Sequence, residues 1–349
     1  RNDSVDRISY SQSIIRNGVP PLNPYAAGKK LHYYWFYDAV VALISTSIKI
    51  DIPTINVILN LIMLFLFLLV CFLTVRRICQ NKERYYNDWL GVLLVIFGLN
   101  GWGWVFLIRN ILLKNNPFYP PVGQSAVGNF LRCATFHCSA RLGFFTTKFL
   151  IANTFPSSLS FMIIAFYMLI RFLKDRKPFY AILFVIAATL CAHLNLILGA
   201  VLYCCCGGFF AMWILLYFFK KHSNLKLALY GTGLLIIATL LLFPYAMTTI
   251  ASKTVSDSFI SLKLPSGPLI WTIILVLAPY WLLLILLRKK VVITFLNPSY
   301  LLLLTGIVIV CCLFLTVRLG GLEYKYIFPL SILLSLYCAS MVPYVRPKK

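Results

Sequence analysis

Residues Phe179–Phe219 read FYAILFVIAATLCAHLNLILGAVLYCCCGGFFAMWILLYFF, a run of 41 residues almost free of polar side chains except around His193 and Asn195. As one straight helix it would reach about 60 Å at 1.5 Å per residue, twice the ~30 Å hydrocarbon core of a bilayer. The run has to turn, and His193-Leu194-Asn195 is its natural corner. Basic residues flank both arms, Lys174–Lys177 before and Lys220-Lys221 after, as a hairpin with both ends on one side requires. The first arm is short, so the corner is expected below the outer surface, in a protein-lined cavity.

The same alternation of apolar runs and basic loops extends through the chain. Of 349 residues, 61% are hydrophobic and 12% are charged, against roughly 45–50% and about 25% in a soluble domain. The expected class is therefore an all-α, polytopic helical membrane protein. A β-barrel is excluded because the runs do not alternate with period two. Nine segments are expected to cross or enter the membrane: Pro53–Val75, Trp89–Ile108, Pro156–Phe172, Phe179–Ala192, Leu194–Phe219, Leu227–Ile250, Pro268–Leu287, Pro298–Val317 and Tyr326–Val345.

The net charge of +23 does not point to nucleic acid, since the basic residues sit between hydrophobic runs. They cluster at Arg76–Arg84, Arg171–Lys177, Lys220–Lys226, Arg288–Lys290 and Arg346–Lys349. Placing all five clusters in the cytoplasm gives an alternating topology without contradiction. Residues 1–52, 109–155, 251–267 and 318–325 then face outward. With no internal repeat and no low-complexity linker, residues 1–349 are expected to form one integral membrane domain. Residues 1–52 would be outer loop and interfacial helix, and 53–345 the transmembrane helices. The chain begins at Arg1, with no apolar segment before Leu31. The expectation is that a preceding first span is missing and that the sequence is a piece of a longer protein.

Leu31-His32-Tyr33-Tyr34-Trp35-Phe36-Tyr37-Asp38, running on through Ala39–Ile48, is too short to span. Burying Asp38 at a helix centre would cost about 2.5–3.5 kcal/mol on insertion scales. Five consecutive aromatics suit the headgroup level, so this stretch is expected to be an outward-facing interfacial helix leading into the span at Pro53.

Only nine residues are acidic, so each can be weighed as a source of acid–base chemistry. Glu83, Asp88 and Asp175 fall among Lys and Arg in cytoplasmic loops and read as counter-charges. Asp3, Asp6, Asp38, Asp51, Asp257 and Glu323 face outward. Asp51 reads as a charge partner for a helix N-terminus, and Asp257 as a solvated loop residue. Asp3 and Asp6 are three apart, on one face if the segment is helical. Either could take a proton from a hydroxyl acceptor, or both could belong to a solvated terminus. His193 is a functional candidate at membrane depth, or equally a buried His bonded to a carbonyl. Arg318 and Glu323-Tyr324-Lys325-Tyr326 precede the last segment on the outer side. There the basic residues run against the positive-inside trend, and they suggest either an anionic partner such as a lipid phosphate or a snorkelling anchor.

Most of the eleven cysteines, including Cys204–Cys206 and Cys311-Cys312, lie in apolar runs and read as small hydrophobes. Cys133 and Cys138 flank His137 and could be bonded or free. No phosphate-binding glycine loop, zinc-protease motif or nucleophile elbow occurs, which argues against a nucleotide-driven pump.

An acidic first outer loop (Asp3/Asp6), the segment Gly18-Val19-Pro20-Pro21-Leu22-Asn23-Pro24, Gly28 and the aromatic run Leu31–Asp38 together resemble the multi-spanning GT-C glycosyltransferases. Lys148-Phe149-Leu150 ahead of Asn153-Thr154-Phe155-Pro156, Glu323-Tyr324-Lys325-Tyr326 before a span, and a hairpin with a His at its outer corner look like further elements of that group. The resemblance implies a GT-C-like fold in the plasma (inner) membrane, working on the cell envelope. It implies a hexosyl- or pentosyltransferase that takes sugar from a polyprenyl-phosphate donor to a glycan, lipid or protein acceptor on the non-cytoplasmic face. Asp6, and after it Asp3, would be the catalytic carboxylate. His32, Tyr33, His193, Arg318, Glu323 and Lys325 would bind substrate. No organic cofactor is implied, and a divalent metal is left open.

Two other functions fit a polytopic chain. A polymerase or ligase of lipid-linked polysaccharide would carry a large outer loop with several Arg, whereas 109–155 has only Arg109, Arg132 and Arg141. A transporter of a solute or lipid would show inverted repeats and ionisable residues at mid-depth.

Overall fold

The apolar runs form helices because, in an apolar surrounding, a segment must satisfy its own backbone donors and acceptors. The computed structural model describes residues 3–19, 21–25, 35–79, 85–98, 154–220, 224–250, 261–262, 270, 273–274, 276–287, 297–318 and 324–342. Within them lie eleven helices: α1 (Asp3–Asn17), α2 (Phe36–Ile48), α3 (Ile52–Cys79), α4 (Tyr85–Phe97), α5 (Thr154–Asp175), α6 (Pro178–Leu194), α7 (Leu196–Lys220), α8 (Leu225–Ile250), α9 (Ala278–Leu286), α10 (Pro298–Thr316) and α11 (Tyr324–Met341). Two short strands, β1 (Ser261–Leu262) and β2 (Val317–Arg318), pair antiparallel with Ser261 opposite Arg318.

The described residues are all-α apart from that strand pair. Five helices are long and apolar enough to cross a bilayer: α3, α5, α7, α8 and α10. They coincide with five of the nine expected segments. The other four fall on shorter apolar helices (α4, α6, α9 and α11) or run into residues outside those described. Apolar side chains such as Val57, Ile58, Leu61, Ile62 and Phe65 on α3, and Ile236, Ile237, Leu240 and Leu241 on α8, are exposed. In water such faces would drive association, whereas in a bilayer they are the surface that lipid covers.

The chain divides into two compact units, one of residues 1–70 and 146–257, the other of residues 71–145 and 258–349. In the first unit, α5 and α6 pack along each other at the centre, α7 packs on both, α8 packs on α6 and α7, and α1 lies on α2. The expected corner is present. Helix α6 ends at Leu194, Asn195 is extended, and its Oδ1 accepts from the Leu198 amide at 3.3 Å as α7 begins. A Cβ placed on Gly199 would lie 2.3 Å from the Ala192 Cβ, so this glycine lets the two arms fold closely beside the corner.

In the second unit α11 is the central element, with Tyr326–Leu336 buried almost without interruption. Helices α4, α9 and α10 pack around it. The Tyr280 hydroxyl of α9 donates to the Leu94 carbonyl of α4 at 2.9 Å and meets Ser331 Oγ and Ser335 Oγ of α11 at 2.8 and 3.0 Å. Asn87 Nδ2 donates to the Ala339 and Val342 carbonyls, both at 2.9 Å. It thereby satisfies the free carbonyls at the end of α11.

Candidate functional site

In the first unit, Asp6 and His193 are drawn to one end of the helix packing by α2. Helix α1 stops at Gly18, whose φ of +76° is a left-handed conformation suited to glycine and whose amide bonds the Ile14 carbonyl at 2.9 Å. The chain then runs back along α1. Ser13 Oγ donates to the Leu22 carbonyl at 2.7 Å, and Asn23 Oδ1 accepts from the Tyr25 amide at 2.9 Å, a local turn. This return brings the Tyr25 hydroxyl within 2.7 Å of Asp6 Oδ1. Asp6 stays partly exposed. The short polar segment ahead of the aromatic run thus places a phenol on the candidate catalytic carboxylate.

The next residue, Arg7, points the other way. Its Nη1 lies 2.6 Å from Asp38 Oδ2 of α2, with side-chain exposures of 3% and 0%. Nη2 reaches Thr154 Oγ1, the first residue of α5, at 3.5 Å. Burial pushes the Asp38 carboxyl up to about 6, against the pull of the adjacent Arg7 guanidinium. Its second oxygen, Oδ1, has no partner among the described residues. The carboxylate expected at the headgroup level is therefore buried within the protein. The carboxylate is withdrawn from solvent, and a buried cation carries its charge.

On the other side of Asp38, the Tyr37 hydroxyl donates to Asn60 Oδ1 of α3 at 3.3 Å, and burial drives this phenol far above its ordinary range. Phe36 packs edge-on against the His193 ring at 5.3 Å, and Tyr245 of α8 stacks on that ring at 4.6 Å. Trp35 meets Tyr245 edge-on at 5.4 Å. His193 Nδ1 donates to the Thr189 carbonyl at 2.8 Å, which leaves Nε2 as the ring nitrogen able to accept. His193 is thus both bonded to a carbonyl and built into an aromatic stack.

Asp51, expected as a helix-terminus partner, caps α3. Its Oδ2 accepts from the Thr54 amide at 3.0 Å, and that backbone bond lowers its pKa.

The remaining candidates lie elsewhere. Asp3 is the first residue of α1, one turn before Asp6. His32, Tyr33, Glu323, Cys133 and Cys138 fall outside the described residues. Arg318 closes β2 opposite Ser261, and Lys325 is buried in the first turn of α11, both in the second unit. Among the described residues, no three His, Cys, Asp or Glu side chains come together as metal ligands.

Reasoning from sequence missed Arg7, Tyr25, Thr154 and Tyr245. One signal was available for the first. A carboxylate at Asp38 that cannot stay solvated needs a cation, and Arg7 adjoins the expected catalytic residue. Compared with protein-family models, curated proteins and solved structures, the chain matches none of them.

Proposed function

We propose that this integral membrane protein is a GT-C-type glycosyltransferase. It moves a sugar from a polyprenyl-phosphate donor to a hydroxyl acceptor on the non-cytoplasmic face of the plasma membrane. The observation that carries the reading is Asp6, a partly exposed carboxylate on a helix fixed from beneath by the buried Arg7–Asp38 pair and oriented by Tyr25. A general base needs this combination of access and fixed geometry.

The sidedness follows from charge. Helix α5 begins at Thr154, beside Arg7, and ends among Arg171, Lys174 and Arg176. Assigning the basic end to the cytoplasm puts Asp6 outside.

In the transfer, the acceptor oxygen attacks the anomeric carbon while the bond from that carbon to the phosphate oxygen breaks. The acceptor proton passes to Asp6, and polyprenyl phosphate leaves with the bonding electrons. Tyr25 holds the carboxylate rotamer. The departing phosphate needs donors where its charge develops; of the residues expected in that role, His32 and His193 belong to the unit that carries Asp6. The lipid tail lies along the exposed apolar helix faces.

The test is release of polyprenyl phosphate from polyprenyl-phosphate-linked sugars by the full chain in nanodiscs. Asp6→Asn is expected to abolish release while insertion and folding persist. Absence of release by the folded wild type with every donor tried would reject the enzyme reading and make solute uptake the next assay.

A further inference from the structure

About 27 Å along α5 from Thr154, at 1.5 Å per residue, the ends of α5, α6 and α8 border an open cleft of about 500 Å³. Its lining includes Phe172, Arg176, Pro178, Asn224, Lys226 and Tyr230. Local chain geometry sets the two cations in place. The Arg176 amide closes α5 on the Phe172 carbonyl at 3.0 Å, and Arg176 itself takes a left-handed φ of 58°. Pro178 then opens α6. Across the cleft, Asn224 Oδ1 accepts from the Leu227 amide at 3.2 Å, which caps α8 and positions Lys226 in its first turn. Phe172 and Tyr230 stack at 5.5 Å to form an aromatic wall.

Both cations are exposed, and neither makes an ion pair with a described residue. Among the described residues, no carboxylate lines the cleft. The nearest one in sequence, Asp175, is bonded by Arg171 Nε at 2.7 Å, and the same guanidinium donates to the hydroxyls of Tyr167 and Tyr180. The positive ends of α6 and α8 and the negative end of α5 meet here and oppose one another, so the two side-chain charges set the sign of the field. The cleft is therefore an electropositive recess at the ends of two helices, α5 and α8, that are long enough to span a membrane.

We propose that this cleft binds the phosphate of an anionic lipid headgroup. Inorganic phosphate offers the same anion. Only a lipid, however, would also use the aromatic wall and the exposed Leu229, Ile236 and Ile237 of α8, along which acyl chains run. Phosphatidylcholine carries the phosphate together with a choline cation that Arg176 and Lys226 repel. The assignment is independent of the glycosyltransferase reading.

The full chain, purified in detergent, is offered phosphatidylglycerol and phosphatidylcholine at equal concentration, and retained lipid is read by native mass spectrometry. The wild type should retain at least fivefold more phosphatidylglycerol. Arg176→Gln with Lys226→Gln should bring retention down to the phosphatidylcholine level, whereas Arg16→Gln, an exposed cation on α1, should leave it unchanged. Raising salt from 50 to 500 mM should release phosphatidylglycerol from the wild type about tenfold, a readout that needs no variant to fold. Equal retention of the two lipids, or full retention by the double variant, would overturn the proposal. Displacement of the lipid by equimolar inorganic phosphate would also overturn it, by identifying a soluble anion as the ligand.

Discussion

Arg7 and Asp38 form a buried ion pair, Nη1 to Oδ2 at 2.6 Å, across 31 residues of sequence. It ties α1 to α2 through charges that have almost no contact with solvent. Taking two such charges out of water costs several kcal/mol each, and their mutual attraction offsets this only while both are present. The pair therefore matters less as a source of stability than as a fixed connection between α1, with Asp6 on it, and the aromatic stack around His193.

Removing one member should expose that dependence. Arg7→Met leaves a buried carboxylate without its counter-charge and should cost about 3–5 kcal/mol. Arg7→Met with Asp38→Leu should recover most of the loss. Thermal unfolding in detergent measures both, and protection of α1 amides from hydrogen exchange shows whether the helix has detached.

The Asp38 carboxyl, raised to about 6 from an ordinary 3.8, gives a pH signature with a defined sign. Between those values the folded protein binds more protons at this site than the unfolded chain. The contribution of Asp38 to stability thus falls as pH rises from about 4 to about 6 and is constant above. Asp51, lowered from 3.8 by its bond to the Thr54 amide, contributes with the opposite slope and below this window. The quantity to follow is therefore the unfolding free energy of the wild type minus that of Asp38→Asn. That difference should fall with rising pH across this window.

Tyr25→Phe removes the hydroxyl that holds Asp6 but leaves the ring edge-on to Tyr10 at 6.4 Å. The bond lies at the exposed surface, so its loss bears on the position of the carboxylate more than on folding, and misplacement by about 1 Å can cost about 100-fold in rate. Under the proposed function, polyprenyl phosphate release should slow by at least about tenfold, with an unchanged melting profile. A variant as active as the wild type would remove Tyr25 from the mechanism.

Gly199 should tolerate no side chain. Even the methyl of Gly199→Ala would meet Ala192 Cβ and Cα at 2.3 and 2.5 Å, the latter being backbone. The expected cost is about 1–3 kcal/mol. Ala192→Gly should recover part of it, and denaturant titration of the two variants and their combination tests the contact.

Tyr280→Phe should destabilise the second unit by about 1–3 kcal/mol, because the Leu94 carbonyl and the Ser331 hydroxyl lose a buried partner. Added Ser331→Ala should cost less than it does in the wild type, since the two groups share one network. Unfolding of the two single variants and the double variant gives the coupling.

Much of the helical framework was legible in the sequence, for a local reason. A span is a property of about 20 consecutive residues, so α3, α5, α7, α8 and α10 could be read without knowing their neighbours. The corner at Asn195 was legible because 41 apolar residues exceed the thickness of a bilayer. The capping of α3 by Asp51 was legible because its partner, Thr54, is three residues away.

What the sequence alone left open was which polar groups meet. Asp38 read as an interfacial residue because its stretch is too short to span, is rich in aromatics and carries a charge costly to bury. Its partner arrives from α1, and Thr154, 147 residues from Arg7, joins them. His193 stood out as polar, yet its stacking on Tyr245 depends on how α8 packs against α6. Hydrophobic length is written along the chain and determines where helices form. Pairing of buried charges and rings is a relation between distant segments, and only the packing of those helices decided it.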